Sequence, residues 1–348
     1  VEVIDNIGLT RCMEAPQYAR LVGSFVDGKP NCILITEFYG ESEAELHAKV
    51  GHLKAHLHAQ HAGAGAVTEI YCTSGQADVW TVRKVALGFL LGVEGDFKPV
   101  PFIEDAAVPV QHLAEYIRKL EDFCGEIGTD IAYYAHASAG CLHVRPMVNT
   151  KLASEIAKMP DIVDFSVDLL RGYGGSLSSE HGDGRTRSWA NHKFFGPDLY
   201  GIYLQVKTAF DPDHILTPGN IVDAGAMTVN LRYGADYKIP SMTTHIDFSE
   251  YGDTPSQGFD RAVEQCNGAG VCRKETTGTM CPSFMATREE EHSTRGRANA
   301  LRAALSGILP PEALTSERMY QVMDLCIECK SCKAECPSAV DMAKIKFE

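Results

Sequence analysis

Twelve residues near one end of the chain, CIECKSCKAECP at 326–337, restrict the fold more than any other stretch. Cys326, Cys329 and Cys332 follow one another at i+3, and Cys336 comes after three further residues with Pro337 behind it. This C-x2-C-x2-C-x3-C-P spacing turns three thiolates of one tight loop onto a single iron–sulfur cluster, while the thiolate before proline reaches a neighbouring one. Structural zinc favours two C-x2-C pairs set further apart. The loop therefore needs a fourth thiolate from elsewhere in the chain.

A second, imperfect copy of the motif offers it. In CNGAGVCRKETTGTMCP, residues 266–282, Cys266 and Cys272 are six apart, Ala269 stands where the middle thiol belongs, and Cys281–Pro282 closes the pattern. If ligation crosses over, Cys281 joins Cys326, Cys329 and Cys332 to complete a [4Fe–4S] centre. Cys266, Cys272 and Cys336 then supply only three thiolates. That second iron–sulfur site is left open among a [3Fe–4S] cluster, a [4Fe–4S] cluster with a non-cysteine ligand, and no cluster. Arg295, Arg297 and Arg302 fall on the intervening segment, either paired with Glu289, Glu290 and Glu291, or offsetting cluster charge, or forming a solvated face.

The remaining cysteines, Cys12, Cys32, Cys72, Cys124 and Cys141, are scattered and read as reduced structural thiols. With 32 basic and 46 acidic residues the net charge is −14, which repels a nucleic-acid backbone and sets that partner class aside. The apolar run at 85–93 is far short of the roughly 18–20 residues of a transmembrane segment, and no signal segment opens the chain. The expected location is cytoplasmic, or peripheral at a membrane.

Upstream of the cysteines, single strands and helices alternate. NCILITEF (31–38) reads as a strand, and the next segment, with Leu46, Val50, Leu53 and Leu57 at helical spacing, as a helix. AVTEIYC (66–72) reads as a second strand, 76–92 as a helix, KPVPFIEDA (98–106) as a third strand, and 108–128 as an amphipathic helix. DIAYYAHA and CLHVRP pair as strands across the small-residue turn SAG. Two further helices follow, the first interrupted near Pro160 and ended by Gly174–Gly175. The pattern predicts an α+β fold, with a ferredoxin-like sandwich followed by a small, mainly α-helical iron–sulfur domain. A composition rich in Ser, Thr, Gly and Asp makes 223–258 a linker, leaving 1–222 and 259–348 as domains, with a charged helix over 287–307 inside the second.

Histidines mark the first domain. His136 and His143 flank the SAG turn, so a hairpin brings both imidazoles to one end of the sheet, where they can take one metal. In GGSLSSEHGDGRTR, Glu180 and His181 precede a glycine-flanked Asp183. An adjacent carboxylate and imidazole can divide metal ligation and proton acceptance, and two histidines with one glutamate leave metal positions open for substrate. An incidental histidine pair and a surface turn are the competing readings.

AHASAGCLHVRP, SLSSEHGDGRTRSW, VKTAFDPDHILTPGNIV and VWTVRKVALGFLLG together resemble the C-terminal cap domain of FAD-linked oxidases of the vanillyl-alcohol oxidase type, a group that includes D-lactate, glycolate and D-2-hydroxyglutarate dehydrogenases. The cysteine-rich tail resembles the iron–sulfur segment fused behind that cap in large bacterial members. The resemblance implies that His136, His143 and Glu180 bind a divalent metal (Zn or Mn), that His181 is the base at the substrate, and that Arg83 or Arg145 holds the substrate carboxylate. It implies that FAD is held mainly by an FAD-binding domain of the same polypeptide, ahead of Val1, with a local contact at Thr217–Asn220. ASAGC stands where many relatives have an acidic Gly-Asp-Gly-Asn stretch, and TPGNI where NPGKI is commoner.

The expected function is thus a fragment of an FAD- and iron–sulfur-dependent dehydrogenase. It oxidises a small D-2-hydroxy acid, of the D-lactate or D-2-hydroxyglutarate type, and passes electrons to a downstream acceptor. The alternative is a non-catalytic iron–sulfur electron-transfer subunit docking on a separate flavoprotein. The histidine–glutamate set separates the two, because a pure carrier needs no substrate base.

Overall fold

The computed structural model describes residues 1–60 and 66–348. The chain divides into two compact units. The first comprises Val1–Leu90, Pro99–Met147 and Ala157–Val229, and the second Leu91–Lys98, Val148–Ile156 and Asn230–Glu348.

The first unit is built on strands β1 (Glu2–Asp5), β2 (Cys32–Ile35), β3 (Lys98–Pro99), β4 (Ala106–Ala107), β5 (Ile131–His136) and β6 (Cys141–Val148). Their order in the sheet is β2-β1-β5-β6-β3, with β4 also on β6. The pairs β1–β2, β1–β5, β5–β6 and β4–β6 are antiparallel. With the helices α1 (Asn6–Glu14), α2 (Pro16–Val22), α3 (Glu43–Ala59), α4 (Thr73–Leu91), α5 (Leu113–Glu126), α6 (Ala153–Tyr173), α7 (Gly184–Ser188) and α8 (Asn191–Phe210), this is the α+β class that the alternating pattern predicts.

Several boundaries differ from the sequence reading. The run 66–72, expected as a strand, joins no ladder. The place beside β5 is taken by β1, and Thr68 instead donates its hydroxyl to the Phe25 carbonyl at 3.0 Å. The expected third strand splits into β3 and β4, because Pro99 and Pro101 lack ladder donors and Asp105 takes a left-handed φ of 74° between them. Helix α6 runs unbroken through Pro160, since buried Met159, Ile162, Val163, Val167 and Leu170 hold both sides of the missing hydrogen bond against the core. It ends as expected, with Gly174 at φ 67° and the Gly175 amide bonded back to Leu170 O.

The β5–β6 hairpin needs its glycine. Gly140 has φ 69°, and a Cβ there would lie 1.9 Å from the Val108 carbonyl oxygen. The apolar residues Ile4, Leu9, Cys12, Val22, Val82 and Ala86 pack β1, α1, α2 and α4 together. Asp5 joins sheet to helix: one carboxylate oxygen caps α1 through the Gly8 amide and the other accepts from the Tyr133 amide.

The second unit carries α9 (Phe259–Glu264), α10 (Pro282–Thr287), α11 (Thr294–Leu305), α12 (Glu317–Asp324), α13 (Ser331–Glu335) and α14 (Met342–Phe347). Their core includes Phe248, Phe259, Val263, Phe284, Leu301, Val322 and Met342, and it buries Cys266, Cys272, Cys281 and Cys332 among the apolar side chains. The charged helix expected over 287–307 starts only at Thr294. Arg288 turns left-handed at φ 62° and Ser293 caps the new helix by accepting from the Gly296 amide. Residues Ile239, Met242 and Ile246, from the stretch read as linker, pack against this core.

Candidate functional sites

The β5–β6 register sets the first site. Tyr134 lies opposite His143 and His136 opposite Cys141, so His136 and His143 are diagonal neighbours on one face. Their rings meet edge to face with centroids 5.4 Å apart. The loop after α6 brings Glu180 across both: Oε1 is 3.7 Å from His136 Nε2 and Oε2 is 3.8 Å from His143 Nε2. His181 stacks on His143 at 5.4 Å, half exposed, with its Nε2 3.4 Å from Glu180. The four residues read from two separate motifs thus converge, and His136, His143 and Glu180 offer donor atoms all within 4.8 Å of one another.

Those gaps are too long for hydrogen bonds and suit a cation between the donors. Burial pushes the His143 imidazole down to about 4, which leaves the ring neutral at physiological pH, the form in which imidazole ligates metal. Its Nδ1 is buried without a hydrogen-bond partner. Two imidazoles and a carboxylate make a three-donor set of the kind that keeps positions open on a divalent ion such as Zn.

Residues outside the predicted set fix its geometry. Glu2, opposite His136 in the β1–β5 register, engages His136 Nδ1 at 2.7 and 2.9 Å, which leaves Nε2 to face Glu180. Burial raises the Glu2 pKa, but the bonds from His136 and Arg83 outweigh it and hold the carboxylate below its usual value. Asp105, fully buried, clamps the 178–181 loop. Its carboxylate accepts from the Glu180 and His181 amides at 2.9 and 2.8 Å and from the Ser178 and Ser179 hydroxyls at 2.7 and 3.0 Å. Against the upward push of burial, these bonds keep its pKa lowered. Arg187, also buried, ties Glu104 O to Gly182 O. Glu104 adds a further donor, which forms a second candidate group with His143 and His181. One sequence signal pointed at these acids: adjacent Glu104 and Asp105 interrupt an otherwise apolar run.

The two arginines pair with these same carboxylates beside the histidines. Arg83, on α4, stacks 3.3 Å over the Tyr134 ring and pairs with Glu2 at 2.6 Å. Arg145, on β6, pairs with Glu104. Both are buried. The Thr217–Asn220 stretch adjoins the same loop system, since Ser188 accepts from the Ile221 amide and Asn191 bridges Asp183 and Ile221 O. The Asn220 Oδ1 has no hydrogen-bond partner although buried.

In the second unit the cysteines fall into two pockets. One is lined by Cys281, Cys326, Cys329 and Cys332. The other is lined by Cys266, Cys272 and Cys336. Each motif sends its last cysteine to the other motif's pocket. Glu328 and Lys330, at φ 53° and 63°, bend the chain on both sides of Cys329. Burial pushes the Cys332 thiol up to about 11 and raises Cys266 and Cys336 as well, so ligation by these residues releases protons. Thr294 lines both pockets.

The arginines here are not a solvated face. Arg297 is fully buried, 3.5 Å from Cys281 Sγ, and donates to His292 O, Val322 O and Ser283 Oγ. Arg295 gives its amide to Cys272 Sγ at 3.3 Å and its guanidinium to Glu290. Arg297 thus sets a buried guanidinium beside Cys281, and Arg295 a backbone amide on Cys272.

Comparison with known proteins gives two family matches. The family profile described as FAD linked oxidases, C-terminal domain, matches residues 1–221, and that of a 4Fe-4S dicluster domain matches 265–341. The chain is 33% identical to a D-2-hydroxyglutarate dehydrogenase of Pseudomonas putida, over 89% of the chain and 33% of that protein. It is 32% identical to a D-2-hydroxyglutarate dehydrogenase of Escherichia coli, over 90% of the chain and 34% of that protein. To a D-lactate dehydrogenase of Archaeoglobus fulgidus it is 31% identical over 56% of the chain and 40% of that protein. The chain thus spans about a third of the length of the first two relatives. No helix among the described residues is long and apolar enough to cross a membrane.

Proposed function

The chain belongs to the FAD-linked oxidases, by their C-terminal domain, with an iron–sulfur domain behind it, and on that premise we propose that it is the substrate-cap and electron-transfer part of a 2-hydroxy-acid dehydrogenase. Residues 1–222 form the cap, 223–258 the connection and 259–348 the iron–sulfur domain. The observation that carries the reading is the convergence of His136, His143, Glu180 and His181 at one end of the β5–β6 hairpin.

Oxidation of a 2-hydroxy acid to the 2-oxo acid removes two electrons and two protons, one from oxygen and one from carbon. In this reading His136, His143 and Glu180 would hold a divalent ion, which would supply Lewis acidity for ionising the substrate hydroxyl. FAD, held mainly by another domain and touched from this chain at Thr217–Asn220, supplies the two-electron acceptor. Iron–sulfur clusters in the two cysteine pockets supply one-electron transfer to a further acceptor.

The chain's own part is positional. Asp105 fixes the backbone of Glu180 and His181, Glu2 fixes the His136 ring, and His181, exposed on one side, takes the hydroxyl proton at its imidazole nitrogen. Arg83 and Arg145 meet the substrate carboxylate only by exchanging Glu2 or Glu104 for it. A KM rise of about tenfold or more on Arg145→Lys, with kcat less affected, is the sign of such an exchange.

D-2-hydroxyglutarate and D-lactate are the first substrates to test, following the names of the relatives. The deciding experiment measures bound divalent metal in this chain, and turnover in the longer polypeptide that includes the flavin domain, for wild type and His143→Ala. The reading expects about one ion per chain, lost together with turnover in the variant. Iron–sulfur content without that ion, and turnover indifferent to His143, makes the chain an electron carrier instead.

A further inference from the structure

The family profile over 265–341 describes a dicluster domain, and two clusters of four irons require eight cysteine ligands. The segment holds seven. Four line the first pocket, so the shortage falls wholly on the second, where Cys266, Cys272 and Cys336 stand with Ala269 at the middle position of the motif. The same position in the other motif is Cys329.

None of the polar residues lining the second pocket makes up the difference. Asn267 uses its side-chain oxygen to accept from the Ala269 amide at 2.9 Å. Arg295 is a cation already held by Glu290 and by Gly268 O. Thr294 is buried at the start of α11 and carries no negative charge. Ala269 itself is exposed, whereas Cys266 and Cys272 are buried. The missing ligand is therefore on the solvent side of the pocket, between Gly268 and Gly270, both at positive φ.

Resting on the crossed ligation proposed above, we infer that the second pocket is a three-cysteine site that keeps a three-iron cluster and exchanges the fourth iron with solution through the face beside Ala269. The exchange balances as [3Fe–4S]⁰ + Fe²⁺ ⇌ [4Fe–4S]²⁺, with no electron gained or lost and no protein ligand added. The amide of Arg295 on Cys272 and its guanidinium at the pocket wall stabilise the thiolates in both forms. The arrangement makes the two sites unequal: a closed four-cysteine cluster, and an open one whose iron content follows the supply of ferrous iron.

The test is anaerobic reconstitution of the full chain, with iron and sulfide analysis and EPR, for wild type, Ala269→Cys and Cys281→Ser. Wild type is expected to hold about seven irons, and to show after mild oxidation the signal of a three-iron centre. Ferrous iron added under dithionite is expected to raise the content to about eight irons, whereas dithionite alone leaves about seven. Ala269→Cys, a substitution at an exposed position, is expected to hold about eight irons and to lack the signal from the start. Cys281→Ser keeps the three-iron signal. Eight firmly held irons in wild type, unchanged by Ala269→Cys, overturn the inference, and so does a second pocket that stays empty. If Cys281→Ser removes the three-iron signal, or if no four-iron cluster forms at all, the crossed ligation itself is wrong and the inference falls with it.

Discussion

The cysteine pockets and the histidine–carboxylate site are both collections of metal-type ligands, but they are assembled on different principles. In the second unit the ligands come from two short loops, and the loop spacing alone brings three sulfurs to each other. In the first unit the donors sit on a hairpin and on a loop some forty residues further on, and rigid backbone pairing has to bring them together. The supporting residues differ accordingly. Sulfur is met by buried guanidinium and backbone amides, with Arg297 and Arg295 foremost. Imidazole is met by a carboxylate, Glu2 behind His136. A soft, anionic ligand needs positive charge around it, whereas a neutral ring needs an acceptor that fixes its tautomer.

Substitutions can break the comparison, and the largest effect belongs to the cysteines. Cys281→Ser is expected to open the closed four-iron cluster into a second three-cysteine site with loss of at least about one iron per chain, as Cys329→Ser does, although the two lie in separate motifs. Iron analysis of both variants checks this. Retention of the cluster in Cys281→Ser means that the first motif does not reach across.

His181→Ala comes next. As the proton acceptor its loss is expected to lower kcat by roughly 10²- to 10⁴-fold in the flavin-loaded polypeptide while bound divalent metal stays constant. If metal is lost along with activity, His181 is a ligand and the division of labour with Glu180 is wrong. Asp105→Asn is expected to act through position alone, weakening divalent-metal affinity by about 10- to 100-fold as other outer-sphere changes do. Competition with a chelator reads this, and an unchanged affinity denies Asp105 its clamping role.

The smallest effect concerns the second unit's buried polar cluster, where Lys98, Lys151, Asp96 and Glu264 meet. Burial pushes Lys98 down to about 8, against the opposing pull of Glu264 and Asp96. A lysine depressed in the folded state binds its proton more readily when unfolded, so protonated Lys98 opposes folding. Its contribution makes stability rise with pH between about 8 and the ordinary lysine value of 10.5, by at most about 1.4 kcal/mol per pH unit. Denaturant midpoints across that interval for wild type and Lys98→Met measure it. Equal slopes in the two proteins exclude Lys98 as the source.

The sequence by itself determined what depends on near neighbours. Cysteine spacing placed Cys326, Cys329 and Cys332 in one pocket, the SAG turn made a hairpin of His136 and His143, and helical periodicity gave α3, α4 and α5. Only tertiary structure decided what depends on pairing between remote segments. Strand β1 carries no strong periodic signal in four residues, yet it lies between β2 and β5 and delivers Glu2 to His136. Asp105 is an unremarked acid in sequence, and it became the organiser of Glu180 and His181 because its left-handed backbone turns the carboxylate under their amides. Arg83 is a candidate carboxylate holder by resemblance alone, and the fold gives it Tyr134 and Glu2 as partners. The physical reason is common to all three: a charged group inside a protein is defined by the partner that compensates it, and that partner is chosen by the fold rather than by the adjacent residues.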